Sequence, residues 1–399
     1  MRLLGIRWLP AALLLAAPFA QAQLLFSKTE AQAIKTAIAA KDPRVQAAAE
    51  RLRRDADARL NDGPWSVTFH RPKDRKIDVH DYYSEGPYWW PDPANPGGPY
   101  IRKDGETNRA RFVANREDLG RVGQAVFLLG TAAWLFDDPR YADHAAKILS
   151  VWFVDPATRM NPNLEYGQAI SGVTDGRGIG IIDTTNLLWA VQGISFLDAT
   201  GRWKPSDRLA VRKWFSDYLA WITTSKKGLD EQKNGNNHSS WWAAQAASYA
   251  ILLGDRTTQD MVWRLYREEL IPKQMLADGS FPREEARTKS LGYSAFNLDA
   301  LSVVCRLAEK QGVDLWKFRA KNGASMQAGV AYLAPFVARP ETWKKPQIEP
   351  FQNDRIYFLA LAGLGLNAPE HVAAWKTLRR PVGTWFTLLD LLVDTTPRP

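Results

Sequence analysis

Two polar segments carry residue types from which an active centre could be built. The first reads NGNNHSSWW at 234–242 and runs into an apolar helix that Asn236 or Asn237 is placed to cap. A helix start offers unpaired backbone N–H groups and the positive end of the helix dipole, so with the amide of Asn237 and the imidazole of His238 it could receive a carboxylate. The alternative is a capped helix on which His238 is merely exposed.

The second segment reads DGSFPREEAR at 278–287 and precedes a helix that contains Tyr293. Arg287 and Tyr293 are six residues apart, which on one continuous helix would be about 240° around the axis. They can converge only if Arg287 lies in the loop before the helix. The alternative is a surface ion pair at Arg287 and a core phenol at Tyr293.

These residue types suit elimination from a uronic-acid polymer. That reaction needs donors that neutralise the C6 carboxylate, a base for the C5 proton and an acid for the departing O4 oxygen. Arginine and asparagine are suitable donors, histidine or a phenolate can be the base, and tyrosine can be the acid. A phenol of ordinary pKa, about 10, must lose its proton if it is to act as the base. For Tyr293 to be the base, nearby Arg287 and His238 would have to lower its pKa.

Helical periodicity dominates the chain from Ser27 onward, and strand-like alternation is almost absent, so the predicted fold is all-α. In segment 206–224, Leu209 and Trp214 belong to one apolar stripe and Val211 and Phe215 to a neighbouring one. A helix that is apolar over so wide an arc must be covered on two sides, which favours a double layer of helical hairpins. The predicted helices are 28–40, 43–60, 116–136, 140–153, 184–200, 206–224, 238–253, 257–275, 288–311, 324–335, 354–364, 369–379 and 384–393.

Several connections are too long for a compact bundle, and such loops are usually functional or disordered. Their richness in Trp, Tyr, Gly, Asn and Arg argues against disorder, so function is expected there. We expect one domain over 23–399. The long loops are 61–115, 156–183, 226–237, 276–287 and 337–353.

The N-terminus has the pattern of a secretory signal peptide at 1–22. Arg2 and Arg7 precede a largely apolar run at 8–19, and Ala20-Gln21-Ala22 is an A-x-A cleavage site. The run is shorter than the roughly 20 residues of a bilayer span, so a membrane anchor is disfavoured. The predicted location is the bacterial periplasm or the exterior, with no membrane association after cleavage.

The mature chain has a net charge of +7, which suits a polyanionic partner. Outside the cytoplasm acidic polysaccharides are more natural partners than nucleic acid, although mild basicity is also common for solubility alone. Cys305 is the single cysteine and the five histidines are scattered, so neither an intramolecular disulfide nor a metal site is expected. We expect no cofactor, and the sequence leaves the oligomeric state open.

Taken jointly, the two polar segments, with YWWPDP at 88–93 and the stretches 161–170 and 176–183, resemble the alginate lyase superfamily. The matching segments together span most of the mature chain, about 82–299, and the resemblance is nearest to the branch of glucuronan and polymannuronate lyases. It implies an (α/α) toroid, an incomplete barrel of helical hairpins in a single domain.

The resemblance also implies roles for four residues. Asn237 and Arg287 would bind and neutralise the C6 carboxylate, His238 would assist there or act as base, and Tyr293 would be the acid and, in the simplest scheme, also the base. In β-mannuronate and β-glucuronate H5 and O4 lie on one face of the ring, so one tyrosine can serve both steps by syn elimination. Guluronate, where they lie on opposite faces, would need two groups.

Aromatic side chains are unusually many, with 17 Trp, 12 Tyr and 16 Phe, and their faces can stack on sugar rings. The loops 81–100 and 161–183 are candidate walls of a sugar-binding cleft. An alternative is that Trp89 and Trp90 pack under their loop while Arg177 pairs with Asp175 or Asp183. The candidate substrate-binding residues are Tyr83, Trp89, Trp90, Tyr166, Gln168, Arg177 and Trp241.

Two other functions remain open at this stage. A glycoside hydrolase on the same toroid would use a pair of carboxylates. A non-catalytic oligouronate-binding protein would need only the basic and aromatic cleft. The carboxylates available to a hydrolase are Glu284, Glu285, Asp175 and Asp183.

Overall fold

A computed structural model describes residues 23–73, 75–353, 356–378 and 384–396; the predicted signal peptide lies outside them. Within these residues the chain is mostly helical. The α-helices are α1 (Lys28–Ala39), α2 (Pro43–Arg59), α3 (Ala114–Phe136), α4 (Pro139–Leu149), α5 (Asn186–Thr200), α6 (Pro205–Thr224), α7 (Lys226–Gln232), α8 (Asn237–Leu253), α9 (Arg256–Leu265), α10 (Ile271–Gln274), α11 (Pro282–Glu285), α12 (Ser290–Lys310), α13 (Met326–Ala338), α14 (Phe358–Gly365), α15 (Pro369–Thr377) and α16 (Thr384–Thr395).

The helices form two concentric layers. In the inner layer α3 packs on α5, α5 on α8, α8 on α12 and α12 on α14, while α16 contacts both α14 and α3. The outer helices α4, α6, α9, α13 and α15 each pack against an inner one, and α1 and α2 cover α16. One contiguous hydrophobic core, from Leu24 to Val393, fills the space between them. The predicted all-α toroid of helical hairpins in a single domain is confirmed.

Helices α3 and α5 approach until their backbones touch. A Cβ at Gly130 would lie 2.3 Å from the carbonyl oxygen of Gly193, and one at Gly193 would lie 2.3 Å from that of Val126, so neither position admits a side chain. By length and composition α3 could cross a membrane, but 72% of its most apolar window is buried inside the fold. It is a core helix here.

Short elements order the long loops that the sequence marks as functional. Strand β1 (Tyr83–Glu85) pairs in parallel with β4 (Tyr166–Ala169), and β2 (Trp89–Trp90) pairs antiparallel with β3 (Ile101–Arg102). Helices α7 and α11 lie within the predicted loops 226–237 and 276–287. The remaining elements are 3-10 turns at Gly178–Thr185 and Pro340–Thr342 and π-helical turns at Ser150–Val154 and Tyr266–Leu270.

Most predicted helix limits lie within two residues of those observed, as at α8 and α12. Leu209, expected in a buried stripe, is 55% exposed, whereas Trp214 of the same stripe is buried. The helix predicted at 354–364 is observed from Phe358, and positions 354 and 355 lie outside the described residues.

The fold brings the two polar segments together. Helices α8 and α12 pack side by side, and the short α11 packs on α12 just before α12 begins. Glu284 of α11 contacts Asn237 at the start of α8, so the starts of α8 and α12 are close in space. Both segments therefore contribute to one site.

Candidate active site

Helix α8 presents one imidazole at its start. Asn236 caps the helix, since its side-chain oxygen accepts the backbone N–H of His238 at 3.0 Å. From Asn237 to Leu252 every residue of the helix is buried except His238. The histidine is therefore the one side chain among these positions that the buried helix leaves accessible.

Asn237 lies against a carboxylate of the protein itself. Its backbone N–H donates to Glu284 Oε1 at 2.6 Å, and its Nδ2 donates to both Glu284 oxygens at 2.9 Å. Both residues are buried, and burial raises the pKa of Glu284 while the hydrogen bonds from Asn237 act to lower it. The expectation that this helix start offers free N–H groups is wrong for its first two residues, because Asn237 binds Glu284 and His238 binds the cap. A substrate carboxylate would have to share Asn237 with Glu284.

His238 is held by a second buried carboxylate. Its Nδ1 lies 2.7 Å from Oε1 of Glu231, which is 1% exposed at the end of α7. Nε2 makes no hydrogen bond to any residue in the described part of the chain. This nitrogen is therefore the one left for chemistry.

Arg287 lies in the loop between α11 and α12, as convergence with Tyr293 requires. Its guanidinium carbon is 4.0 Å from the centroid of the Tyr293 ring. Nε and one Nη donate to both carboxylate oxygens of Asp104, at 2.7 to 3.2 Å. Thr288 donates to the same carboxylate. Burial alone would raise the pKa of Asp104, but the hydrogen bonds and charge of Arg287 lower it well below its usual range.

Tyr293 shares a hydrogen bond with another phenol, since its hydroxyl is 2.7 Å from that of Tyr88. Burial raises the pKa of Tyr293, Tyr88 raises it further, and the positive charge of Arg287 opposes them without prevailing. The lowering of this pKa that a phenolate base would require is therefore absent in the protein without substrate. The structure places Tyr88 at the site, whereas in the sequence this residue stands out only as the first of the YWWPDP motif, without a role of its own.

A cavity of about 520 Å³ lies beside the two phenols. Polar and charged groups of Lys289, Gln347 and Glu349 line it together with aromatic rings, a mixture suited to sugars. The loop that contains Gln347 is fixed by a backbone bridge to Lys289. The predicted functional loop 337–353 thus forms one wall of the cavity.

The loop carrying Trp89 and Trp90 forms a hairpin with β3 near Tyr88. Both rings are half-buried, and cations lie near them, with Arg177 5.9 Å from the Trp89 centroid and Lys103 5.3 Å from the Trp90 centroid. Trp90 Nε1 donates to the backbone oxygen of Glu106 in the same loop, so Trp90 also packs against its own loop, as the alternative supposed. The accessible remainder of each ring leaves the predicted sugar contact possible.

Arg177 does not pair with an acid as the alternative supposed. It donates to the backbone and side-chain oxygens of Gln168, at 2.9 and 3.0 Å, while Asp175 pairs with Arg75. Burial lowers the pKa of Arg177 to about 10. Tyr166 on β4 is half-buried and stays a candidate for sugar binding.

Three predicted binding residues are buried, so direct sugar contact is wrong for them in this structure. Tyr83 is 1% exposed and its hydroxyl donates to Glu85; Gln168 is 5% exposed and donates to Asp183. Trp241 is 3% exposed, with its ring 4.9 Å from that of Phe296. The sequence showed polar and aromatic types in the right loops, but not which way they point.

The carboxylates available to a hydrolase each have different partners. Glu284 binds Asn237, Glu285 binds Lys345, and Asp175 binds Arg75. Asp183 accepts from Tyr82, Ser84 and Gln168 and pairs with Arg116. No two of these acids share a partner. Within the described residues no group of three or more His, Cys, Asp or Glu side chains could hold a metal ion.

Comparison with known proteins decides the family. The sequence model of the alginate lyase family matches residues 66–343. This chain belongs to the alginate lyase family. It is similar in structure to an alginate lyase from Bacteroides ovatus, with a TM-score of 0.85 and 30% identity, over 93% of this chain and 99% of that one.

Curated alginate lyases of Pseudomonas syringae pathovars tomato and syringae match a shorter stretch. Each is 28% identical, over 132 and 135 residues respectively, which is 33% of this chain. The chain spans about a third of the length of these relatives, 34% of each. The predicted superfamily is confirmed, and the family assignment agrees with the predicted enzyme class, a polysaccharide lyase. The comparisons do not distinguish the glucuronan branch within the alginate lyase family.

Proposed function

We propose that the protein is a polysaccharide lyase that cleaves a β-1,4-linked polymer of mannuronate or glucuronate by syn β-elimination. One observation supports it most: the Tyr293 phenol lies between the guanidinium of Arg287 and the hydroxyl of Tyr88, at the edge of a cavity lined for sugars. A phenol, a fixed cation and the imidazole of His238 at neighbouring helix starts are the groups that elimination requires.

The bond changes balance without a cofactor. A base takes the C5 proton, the C5–H electron pair forms the C4–C5 double bond, the C4–O4 bond breaks, and O4 receives a proton. A cation beside the C6 carboxylate stabilises the charge that develops in between. Arg287 supplies this charge, and Asn237 and His238 lie at the neighbouring helix start.

Tyr293 is the acid in this scheme. Its raised pKa keeps the phenol protonated at neutral pH, which suits donation to O4 and disfavours phenolate as the resting base. His238, whose Nε2 makes no hydrogen bond in the described part of the chain, is then the proposed base. Syn geometry is retained, because the sugars proposed carry H5 and O4 on one face.

A panel of polymers tests the proposal. Protein lacking residues 1–22 is incubated with polymannuronate, glucuronan and polyguluronate while ultraviolet absorbance of the C4–C5 double bond and new reducing ends are recorded. We expect both signals to rise together with polymannuronate or glucuronan, and least with polyguluronate. Reducing ends without absorbance would indicate a hydrolase, and binding without either would indicate a binding protein.

We also propose that the protein is exported to the periplasm or beyond, on the strength of the signal-peptide pattern at 1–22. N-terminal sequencing of protein recovered from the periplasm and the medium tests this. We expect the mature chain to begin at Gln23. Protein that stays in the cytoplasm with an intact N-terminus would contradict it.

A further inference from the structure

Glu231 is an unusual residue for the end of a surface-facing helix. It is 1% exposed, its Oε1 lies 2.7 Å from Nδ1 of His238, and its Oε2 is buried and accepts no hydrogen bond from the residues that the structure describes. A buried carboxylate with an unpaired oxygen costs free energy. The cost of burying Glu231 therefore points to an effect of its carboxylate on His238.

Glu231 is not needed to hold the turn between α7 and α8. Ser239 Oγ donates to the backbone oxygen of Glu231, and the backbone N–H of Gly235 donates to Ser239 Oγ. Together with the cap by Asn236, these bonds fix the turn. They use only the backbone of residue 231, so a different side chain there would leave them intact. Among the described residues, the hydrogen-bond partner of the carboxylate is the imidazole of His238.

The charges around Glu231 come from two elements packed against α7. His238 lies on α8. Arg177 immediately precedes the 3-10 turn Gly178–Thr185, which contains Asp183 and packs on α7. Burial raises the pKa of Glu231, with Asp183 acting in the same direction, while His238 and Arg177 act to lower it. The imidazole is thus the closest group that can stabilise the ionised carboxylate.

We propose that Glu231 is a positioning residue that holds His238 with its proton on Nδ1, so that Nε2 faces the site with a free lone pair. This inference rests on the proposed lyase function for its catalytic meaning. A carboxylate accepts the Nδ1–H bond, and in the neutral ring the other nitrogen then carries the lone pair. A histidine in water exchanges between both forms, so the carboxylate preorganises the base.

The geometry is tested directly by nitrogen-15 NMR of the wild-type protein with labelled histidine. A His238→Gln variant assigns the signal. In the neutral ring we expect Nδ1 to be protonated and Nε2 to be bare. A bare Nδ1 with the proton on Nε2 would mean that a protonated Glu231 donates to the ring, and would overturn the proposal whatever the enzymatic activity.

Two substitutions test the catalytic consequence. Glu231→Met removes the acceptor at similar volume; we expect the tautomer to shift and kcat to fall roughly 10- to 100-fold. The Michaelis constant should change less than about threefold, because Glu231 does not touch substrate.

Glu231→Gln keeps an acceptor without the charge, so the tautomer should persist while the acid limb of the kcat–pH profile moves to lower pH. Glu269→Gln, an exposed acid paired with Lys273, is the matched control.

The outcomes separate this inference from the proposed function. If wild-type protein makes no unsaturated product from any uronate, the lyase proposal fails while the NMR result stands by itself. If wild-type protein is a lyase and Glu231→Met keeps its tautomer or a kcat within about twofold, the role of Glu231 is refuted. Should Glu231→Met unfold, the wild-type NMR spectrum and the Glu231→Gln pH profile decide.

Discussion

The side-chain amide of Asn237 donates to both carboxylate oxygens of Glu284, at 2.9 Å each, in the buried base of the site. The backbone N–H of Asn237 adds a third bond at 2.6 Å. The first residue of α8 is therefore fixed to α11 across 47 positions of sequence. An internal acid occupies the helix start where a substrate carboxylate was expected, which makes Glu284 part of the support for the site.

Replacing Glu284 by leucine should destabilise the protein. The change leaves the buried backbone N–H and Nδ2 of Asn237 unpaired, which costs about 1–3 kcal/mol. Urea unfolding measures this difference, and kcat/KM should fall as well because Asn237 loses its orientation. Glu117→Leu, which removes an exposed acid 3.7 Å from Arg121, should change stability by less than about 1 kcal/mol. Equal effects of the two substitutions would contradict this account.

Replacing Arg287 by lysine should weaken catalysis without unfolding the protein. Lysine cannot reproduce the two-pronged pair with Asp104 or lie flat on the Tyr293 ring. Loss of a charged hydrogen bond of about 1.5–3 kcal/mol corresponds to a fall in kcat/KM of about 10- to 100-fold. Arg102→Lys, on the same Asp104 but more exposed, serves as the control. A similar fall in both variants would mean that the charge on Asp104 matters and the placement of Arg287 does not.

Replacing Tyr88 by phenylalanine should move the alkaline limb of the kcat–pH profile to lower pH. After burial, Tyr88 is the next largest cause that raises the pKa of Tyr293, so its removal lets that pKa fall. An acid must stay protonated to act, and it then loses its proton at a lower pH. Tyr141→Phe, far from the site and bonded to Asp57, should leave the profile in place. A limb that stays in place in Tyr88→Phe, or moves upward, would exclude Tyr293 as its source.

Glu30 should contribute stability that is lost in acid. Its carboxylate joins α1 to α12 through Arg306 and Lys310, at 2.7 and 2.8 Å. Burial alone would raise the pKa of Glu30, but these two charges outweigh it and lower the pKa to about 2. A lowered pKa stabilises the fold above the unfolded value of 4.5, and this contribution disappears as pH falls from 4.5 toward 2.

A fall in the pKa of Glu30 from 4.5 to about 2 corresponds to an acid effect of at most about 3.4 kcal/mol on the free energy of unfolding. Denaturant unfolding at several pH values measures it, with Glu30→Gln as the reference. The free energy of unfolding should fall more steeply with acid in the wild type than in Glu30→Gln. Parallel curves for the two proteins would show that Glu30 is not the source.

Helical periodicity predicted an all-α double layer of helical hairpins, because inner helices such as α8 and α12 are apolar around most of their surface and their limits follow local capping. The toroid itself was implied by the resemblance to the alginate lyase superfamily. Helix geometry also gave the condition under which Arg287 and Tyr293 converge, with Arg287 in the loop before the helix, while their shared role was implied by the resemblance. Asp104, Glu231 and Tyr88 could not be assigned by such reasoning. Asp104 and Tyr88 lie about two hundred positions from their partners, at separations of 183 and 205.

The sequence also could not predict which side chains of a loop face inward. Tyr83 and Trp89 have the same residue class within one loop, yet β1 buries Tyr83 while Trp89 stays half-exposed. The pairing of β1 with β4 decides this, and that pairing spans 83 positions between Tyr83 and Tyr166. A strand of three residues carries too short a pattern for prediction.

The central claim is that Tyr293 supplies the proton to the departing O4 oxygen. The most direct measurement is the rate of unsaturated product formation by Tyr293→Phe on whichever of polymannuronate or glucuronan the wild type cleaves, alongside the affinity for an oligomer of that polymer. We expect turnover to be lost while the dissociation constant stays within about threefold, since the ring and its contact with Arg287 remain. A wild-type rate in Tyr293→Phe would contradict the mechanism.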